Sequence, residues 1–108
     1  AYSIGLARRA RPEHGALDDD AIVMCSFGDA SANHSTAQGA FNTAGWTSYQ
    51  ALPLPLLFVC EDNGIGISTK TPQGWIAATF THRPGLAYFA GNGLDIYDTY
   101  RAASTAAD

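Results

Sequence analysis

Two short apolar runs, separated by a stretch with helical spacing, constrain the fold of this chain most strongly. The runs occupy residues 21–27 and 56–60, and each is short and apolar enough to form a buried strand. Small and apolar residues recur at helical spacing between them: Ala37, Ala40, Phe41, Ala44 and Ser48. Strands joined by a helical crossover pair in parallel, so the sequence predicts an α/β fold, an open parallel sheet with helical crossovers.

Local signals set the predicted bounds of the first helices. A helix over residues 1–11 stops at Pro12, and a polar surface loop follows over residues 14–20. Ser35 and Gln38 have the spacing of a capping box, which predicts that the crossover helix begins at Ser35. Two prolines, Pro53 and Pro55, are expected to end that helix before the second strand.

The last third of the chain is predicted to add three elements. A short helix is expected around residues 75–78 and a third strand over 86–90, and Asp95 is expected to cap a final helix. At 108 residues the chain is long enough for only one small domain. We therefore expect a single, partial domain over residues 1–108, excerpted from a longer protein.

Composition excludes several classes of function. The net charge of −4 argues against a nucleic-acid surface, because binding the phosphate backbone of a nucleic acid requires a basic stripe. No apolar run approaches the length of a membrane span, so no membrane segment is predicted. Cys25 and Cys60 each lie in an apolar run and are expected to be buried, reduced thiols, which fits the cytoplasm, or the mitochondrial matrix in a eukaryote.

Polar residues follow both predicted strands. Gly28-Asp29 follows the first strand, and Asn63 lies just after the second. Because the carboxyl ends of adjacent parallel strands meet at one edge of a sheet, Asp29 and Asn63 are expected to converge. Their hard oxygens suit Mg²⁺, which commonly shares its coordination sphere with phosphate oxygens. The small residues Gly28, Ala30 and Ser31, together with the N-terminus of the crossover helix, would let a diphosphate approach the backbone. The pattern indicates a diphosphate–metal site.

Simpler interpretations of the same residues remain open. Asp29 is also typical of a residue that caps or turns the chain, and Asn63-Gly64 is typical of a tight turn. His34 either contacts a cofactor or substrate, as a weak catalytic candidate, or is a surface histidine near a helix start. The Gly64-x-Gly66 and Gly91-x-Gly93 pairs each supply only half of a dinucleotide fingerprint.

The motifs resemble a known family. Gly28-Asp29-Ala30, followed by a helix, a strand and Glu61-Asp62-Asn63, is similar to the thiamine-diphosphate motif written GDG with a later NN. The run over residues 52–68 looks like the E1 component of 2-oxo acid dehydrogenases, of the alpha type, and its Asn-Gly-x-x-Ile-Ser pattern resembles the branched-chain enzymes. The resemblance extends from about Ser3 to the end of the chain.

The resemblance implies roles for individual residues. Asp29, Asn63 and the backbone carbonyl of Ile65 would bind Mg²⁺, and Gly28 with the amides of Ala30 and Ser31 would contact the diphosphate. Three features depart from the family. Ala30 replaces the glycine at the third position of the motif and fits only if its φ is negative. Asp62 replaces the first asparagine of NN and adds negative charge, and the stretch between the two motifs is a few residues longer.

The resemblance also implies an activity and partners. The family carries out oxidative decarboxylation of a small-molecule 2-oxo acid and transfers the acyl group to a lipoyl carrier, the E2 component. A second E1 domain or subunit would supply the activating glutamate, so this chain alone is expected to be a half-site without turnover. Two alternatives stay open: a non-catalytic phosphate-binding or assembly module, and another thiamine-diphosphate enzyme such as a transketolase.

Overall fold

The computed structural model describes residues 21–108 and contains two strands, three α-helices and a 3₁₀ helix in that range. The expected helix over 1–11 and loop over 14–20 lie outside the described residues. In chain order the elements are β1 (Val23–Gly28), the 3₁₀ helix (Asp29–Asn33), α1 (Ser35–Tyr49), β2 (Leu56–Glu61), α2 (Trp75–Phe80) and α3 (Ile96–Ala107). None of the helices in residues 21–108 is long and apolar enough to cross a membrane.

The sheet of the described residues consists of β1 and β2 in parallel. Its register runs from Val23 opposite Leu56 to Gly28 opposite Glu61, with α1 as the crossover between the strands. The predicted strand–helix–strand unit and its parallel pairing are confirmed. Because the two strands end at the same level, the loops that follow them emerge side by side at one edge of the sheet.

The predicted third strand over residues 86–90 does not form. This segment has no ladder pairing, and residues of both the segment and β2 line a cavity of about 470 Å³. The physical reason lies just before the segment, where Gly85 packs closely against the backbone of Gly45 in α1. The chain therefore enters the segment against the helix and not along the edge of β2.

Phenylalanine rings form the centre of the core. The Phe41 ring of α1 has its centroid 5.1 Å from Phe27, 5.0 Å from Phe58 and 4.9 Å from Phe80. Such aromatic pairs each contribute about 0.5–1.5 kcal/mol beyond the burial of their area. The rings join both strands to α1 and α2, and Ile76 is buried in the same cluster.

The expectation that both cysteines are buried is wrong for Cys25, which is exposed, whereas Cys60 is half-buried. A sheet of two strands leaves each strand at an edge, and Met24 in β1 is 67% exposed. Both thiols are free, which agrees with the predicted reduced state.

The start of α1 differs from the predicted capping box. The residue that caps the helix is His34, whose Nδ1 accepts a hydrogen bond from the Thr36 amide at 3.2 Å. The Gln38 side chain instead bonds the Ala32 carbonyl and Arg83, so it is not available to complete a capping box with Ser35.

The other predicted helix bounds agree more closely with the structure. Helix α1 ends at Tyr49, four residues before Pro53, so the helix stops earlier than the prolines require. Helix α2 is two residues longer than the predicted 75–78. Asp95 caps α3 as predicted, with its Oδ1 accepting hydrogen bonds from the amides of Tyr97 and Asp98.

Candidate functional site

Asp29 joins the loops that follow the two strands. Its Oδ2 accepts a hydrogen bond from the Gly64 amide at 2.9 Å, and its Oδ1 accepts one from the Ala30 amide at 2.8 Å. Gly64 lies 35 residues further along the chain, directly after Asn63. One side chain therefore ties the polar end of β1 to the polar end of β2.

The carboxyl group of Asp29 is fully buried. Burial raises the pKa of Asp29, but hydrogen bonding from the Ala30 amide, the Thr71 hydroxyl and the Gly64 amide outweighs it, so the pKa lies below its ordinary value of 3.8. Asp29 is therefore ionised at neutral pH although it is enclosed by the protein.

Asn63 lies next to this junction and is exposed. Its Oδ1 accepts a hydrogen bond from the Ile65 amide at 3.0 Å, which is the geometry of an Asx turn. Gly64 has a φ of 73°, a conformation that favours glycine. The tight-turn interpretation of Asn63-Gly64 is correct as local structure. The side chains of Asn63 and Asp29 each bond a backbone amide and do not bond each other.

The loop after Asn63 folds back on itself. Ile65 forms an isolated antiparallel bridge with Lys70, and the Gly66 amide donates to the Thr69 carbonyl at 2.8 Å. The Thr71 amide donates to the Gly64 carbonyl at 3.1 Å. The Ile65 carbonyl, which the resemblance implies as a metal ligand, therefore belongs to a compact loop whose backbone is held by its own hydrogen bonds.

Ala30 has the negative φ that its side chain requires at this position of the motif. Within residues 21–108, Ala51 is the one non-glycine residue with a positive φ, so Ala30 tolerates its side chain without backbone strain. The residue lies in the 3₁₀ helix that directly follows β1. Its amide donates to the Asp29 carboxylate, while Ser31 is exposed on the same short helix.

His34 has a structural role in this arrangement. It is exposed, and its Nδ1 caps α1 through the Thr36 amide. The five-residue 3₁₀ helix separates it from the end of β1, so the N-terminus of α1 does not follow Asp29 directly. The structure places His34 at a helix start, and its contact with a cofactor or substrate stays a prediction.

Cys60, Asp62 and Tyr88 form a second polar group that the sequence did not reveal. All three residues line the cavity beside β2. Burial, followed by the negative charges of Asp62, Asp29 and Glu61, raises the pKa of Cys60 to about 11. Burial and the Asp62 charge also raise the pKa of Tyr88. No motif spacing connects Tyr88 to Cys60, because their proximity depends on the path of the chain after α2.

The described part of the chain contains no cluster of three or more His, Cys, Asp or Glu side chains that could hold a metal. The predicted ligands are of a different kind, since they comprise one carboxylate, one amide side chain and one backbone carbonyl. Oxygen donors of this kind suit Mg²⁺, which accepts few protein ligands and commonly retains water or phosphate oxygens.

Comparison with known proteins identifies similar sequences over most of the chain. The sequence profile of the family described as "Dehydrogenase E1 component" matches residues 3–108. The 2-oxoisovalerate dehydrogenase subunit alpha, mitochondrial, of Mus musculus is 31% identical over 88 residues, which cover 79% of this chain and 19% of the relative. The Homo sapiens protein of the same name is 30% identical over 88 residues, with the same two coverages.

A relative with a different substrate in its name is similarly close. The pyruvate dehydrogenase E1 component subunit alpha, mitochondrial, of Saccharomyces cerevisiae is 30% identical over 100 residues, 88% of this chain and 22% of the relative. The chain thus spans about a fifth of the length of these curated relatives. No solved structure matches it.

Proposed function

The chain belongs to the dehydrogenase E1 component family, and from that premise we propose that it forms the half-site that holds the diphosphate of thiamine diphosphate through Mg²⁺. The observation that carries this proposal is the Asp29–Gly64 hydrogen bond of 2.9 Å. It keeps the two polar strand ends together, with the exposed Asn63 adjacent to the buried, ionised Asp29.

Asp29, Asn63 and the Ile65 carbonyl would hold the metal. A carboxylate or amide oxygen has two lone pairs, so each side-chain oxygen that now accepts one hydrogen bond retains capacity for a cation. A metal ligand must be deprotonated, and the lowered pKa of Asp29 meets that requirement. The chemistry of this donor set therefore fits Mg²⁺.

The backbone around Gly28 would receive the diphosphate. A Cβ added to Gly28 would meet no atom within 4 Å, so space is open beside the end of β1. The amides of Ala30 and Ser31, on the 3₁₀ helix, are the proposed contacts. Because the Ala30 amide now donates to Asp29, engagement of the diphosphate by this amide would require it to share or exchange that hydrogen bond.

In the complete enzyme this half-site would serve oxidative decarboxylation of a 2-oxo acid, with transfer of the acyl group to the lipoyl carrier of E2. Bound thiamine diphosphate would supply the electron sink for that reaction. The residues of this chain would bind and orient the diphosphate, while a second E1 domain or subunit would supply the activating glutamate.

The relatives named for 2-oxoisovalerate and for pyruvate leave both acids as candidate substrates. Their names also include a mitochondrial location, so the matrix is proposed for a eukaryotic protein and the cytoplasm otherwise.

One observation favours an alternative, an assembly module without cofactor. Both oxygens of Asp29 are hydrogen-bonded within the chain, and the residue is fully buried. A carboxylate used purely to tie two loops together would have the same contacts. A transketolase-like enzyme is a further alternative and differs in its substrate, which this part of the chain does not specify.

Calorimetric titration of thiamine diphosphate with and without Mg²⁺, in the presence of the partner E1 polypeptide, tests the proposal. Asn63→Ala should abolish the Mg²⁺-dependent binding, as should Asp29→Ala. Asn92→Ala is a matched control, because Asn92 forms the same turn, with its Oδ1 accepting from the Leu94 amide at 3.0 Å. Equal binding by Asn63→Ala and Asn92→Ala would remove Asn63 from the site. Absence of Mg²⁺-dependent binding by the parent protein would favour the assembly module.

A further inference from the structure

A glutamine in α1 connects the 3₁₀ helix to the turn after α2. The Gln38 Nε2 donates to the Ala32 carbonyl at 2.6 Å, and its Oε1 accepts from Arg83 Nη1 at 3.1 Å. Ala32 is fully buried and lies in the 3₁₀ helix that carries Ala30 and Ser31. The side-chain amide therefore links Arg83 directly to the backbone of that short helix.

Within the described residues, Arg83 is held in place by contacts other than an ion pair. Its guanidinium carbon lies 5.5 Å from the ring centroids of both Phe41 and Phe80, a cation–π geometry. Its backbone amide donates to the Phe80 carbonyl at 3.2 Å. Across residues 21–108 the ion pair of the structure is Arg101–Asp98 in α3, so the Arg83 guanidinium contacts no carboxylate there.

Arg83 sets the orientation of the Gln38 amide. A guanidinium has only donors, so the amide oxygen must face Arg83 and the amide nitrogen must face the Ala32 carbonyl. With the amide reversed, its nitrogen would oppose the Arg83 N–H and its oxygen would oppose the Ala32 carbonyl. The arginine thus determines which end of Gln38 holds the 3₁₀ helix.

We propose that Arg83 and Gln38 are positioning residues that fix the 3₁₀ helix for diphosphate binding, an inference that rests on the proposed function. The hydrogen-bonded relay from Arg83 through Gln38 holds the 3₁₀ helix at Ala32, next to the residues proposed to contact the diphosphate. The following residue, Asn33, is fastened independently, since its Oδ1 accepts from the Trp75 Nε1 at 2.9 Å. Neither Arg83 nor Gln38 touches the cofactor in this proposal.

The substitution Gln38→Glu separates positioning from general stability. A glutamate keeps the oxygen that faces Arg83 and gives the arginine a charged partner, but it removes the donor to the Ala32 carbonyl. A purely structural role predicts lower stability, because the Ala32 carbonyl loses its donor and faces a carboxylate oxygen, with unchanged affinity of the folded protein for thiamine diphosphate with Mg²⁺. Positioning predicts that this affinity also falls about tenfold, the equivalent of one buried hydrogen bond.

The experiment combines calorimetry with hydrogen–deuterium exchange of residues 30–34 in the full-length protein, with the partner E1 polypeptide present. Gln38→Glu and Arg83→Met should weaken binding and speed exchange in this segment, while Arg83→Lys, which keeps the cation and a donor, should lie between them and the parent. Arg101→Gln, which breaks the α3 ion pair, is the control and should change neither measurement.

Parent-like affinity and exchange in Gln38→Glu would overturn the relay. If the parent itself bound no thiamine diphosphate with Mg²⁺, the proposed function would fail, and positioning of a cofactor would fail with it. Exchange of residues 30–34 would then still decide whether Gln38 and Arg83 fix the 3₁₀ helix.

Discussion

Ala30 and Gly66 lie so close together that a Cβ added to Gly66 would approach the Cβ of Ala30 to 2.8 Å. The added atom would also lie 3.1 Å from the Thr69 Cγ2 and 3.2 Å from the Thr69 carbonyl oxygen. The loop after β1 and the loop after β2 are therefore in contact at two places, here and at the Asp29–Gly64 hydrogen bond. Because residue 30 carries a methyl side chain, residue 66 must be a glycine.

Gly66→Ala is expected to lower the free energy of unfolding by about 1–3 kcal/mol, because the added methyl forces the two loops apart. Ala30→Gly in the same chain should recover part of this loss, and the contact with Thr69 should prevent full recovery. Urea unfolding of the parent, both single variants and the double variant measures the coupling. Gly28→Ala is the control, since a Cβ there meets nothing within 4 Å. Additive effects of the two substitutions would contradict a direct contact.

Asp29 should make stability depend on acid pH. Its folded pKa lies below the ordinary value, so its ionised form stabilises the fold at neutral pH, and this contribution is lost as the pH falls through the folded pKa. Asp29→Asn should be less stable than the parent at neutral pH and should lose less further stability below about pH 4. Thermal unfolding across pH measures both effects. If the stabilities of the parent and of Asp29→Asn fell in parallel as the pH was lowered, Asp29 would not contribute to the pH dependence of stability.

Asp98 offers a comparison for that experiment. Its pKa is also lowered, mainly by the Asn92 amide and Arg101, but it lies half-exposed at the start of α3. Solvent weakens such interactions, so Asp98→Asn should change the pH dependence less than Asp29→Asn.

The strand–helix–strand unit was predictable because its signals are local. The apolar runs of β1 and β2 and the helical spacing of residues such as Phe41 depend on neighbouring residues alone. The convergence of the strand ends then followed from parallel pairing. The motif predicted that the two loops converge, but its spacing does not specify the Asp29–Gly64 hydrogen bond.

The errors come from contacts distant in sequence. Ser35 and Gln38 have capping-box spacing, but Arg83, 45 residues beyond Gln38, engages its side chain. The segment over 86–90 has strand composition, but the packing of Gly85 on Gly45 directs it away from the edge of β2. In both cases a tertiary contact overrides a correct local signal.

Asp62 should control the ionisation of Cys60. After burial, the Asp62 charge is the largest cause that raises the pKa of Cys60 to about 11, ahead of Asp29 and Glu61. Asp62→Asn should therefore lower the pKa of Cys60, and Glu61→Gln should lower it less. The rate of thiol alkylation against pH measures the pKa, with the exposed Cys25 replaced by serine in every variant. A larger shift with Glu61→Gln than with Asp62→Asn would contradict this order.

Two glycines of α1 should respond to alanine in opposite directions. A Cβ at Gly45 would lie 2.7 Å from the Pro84 carbonyl oxygen, a backbone atom that can move only with the turn before residues 86–90. Gly39, exposed on the same helix, has nothing within 4 Å of an added Cβ. Gly39→Ala should raise the free energy of unfolding by about 0.5–1 kcal/mol through helix propensity. Gly45→Ala gains the same propensity but should be destabilised by about 1–3 kcal/mol overall, because steric overlap outweighs the gain. Urea unfolding followed by circular dichroism measures both, and stabilisation by Gly45→Ala would mean that the turn at Pro84 is not packed against α1.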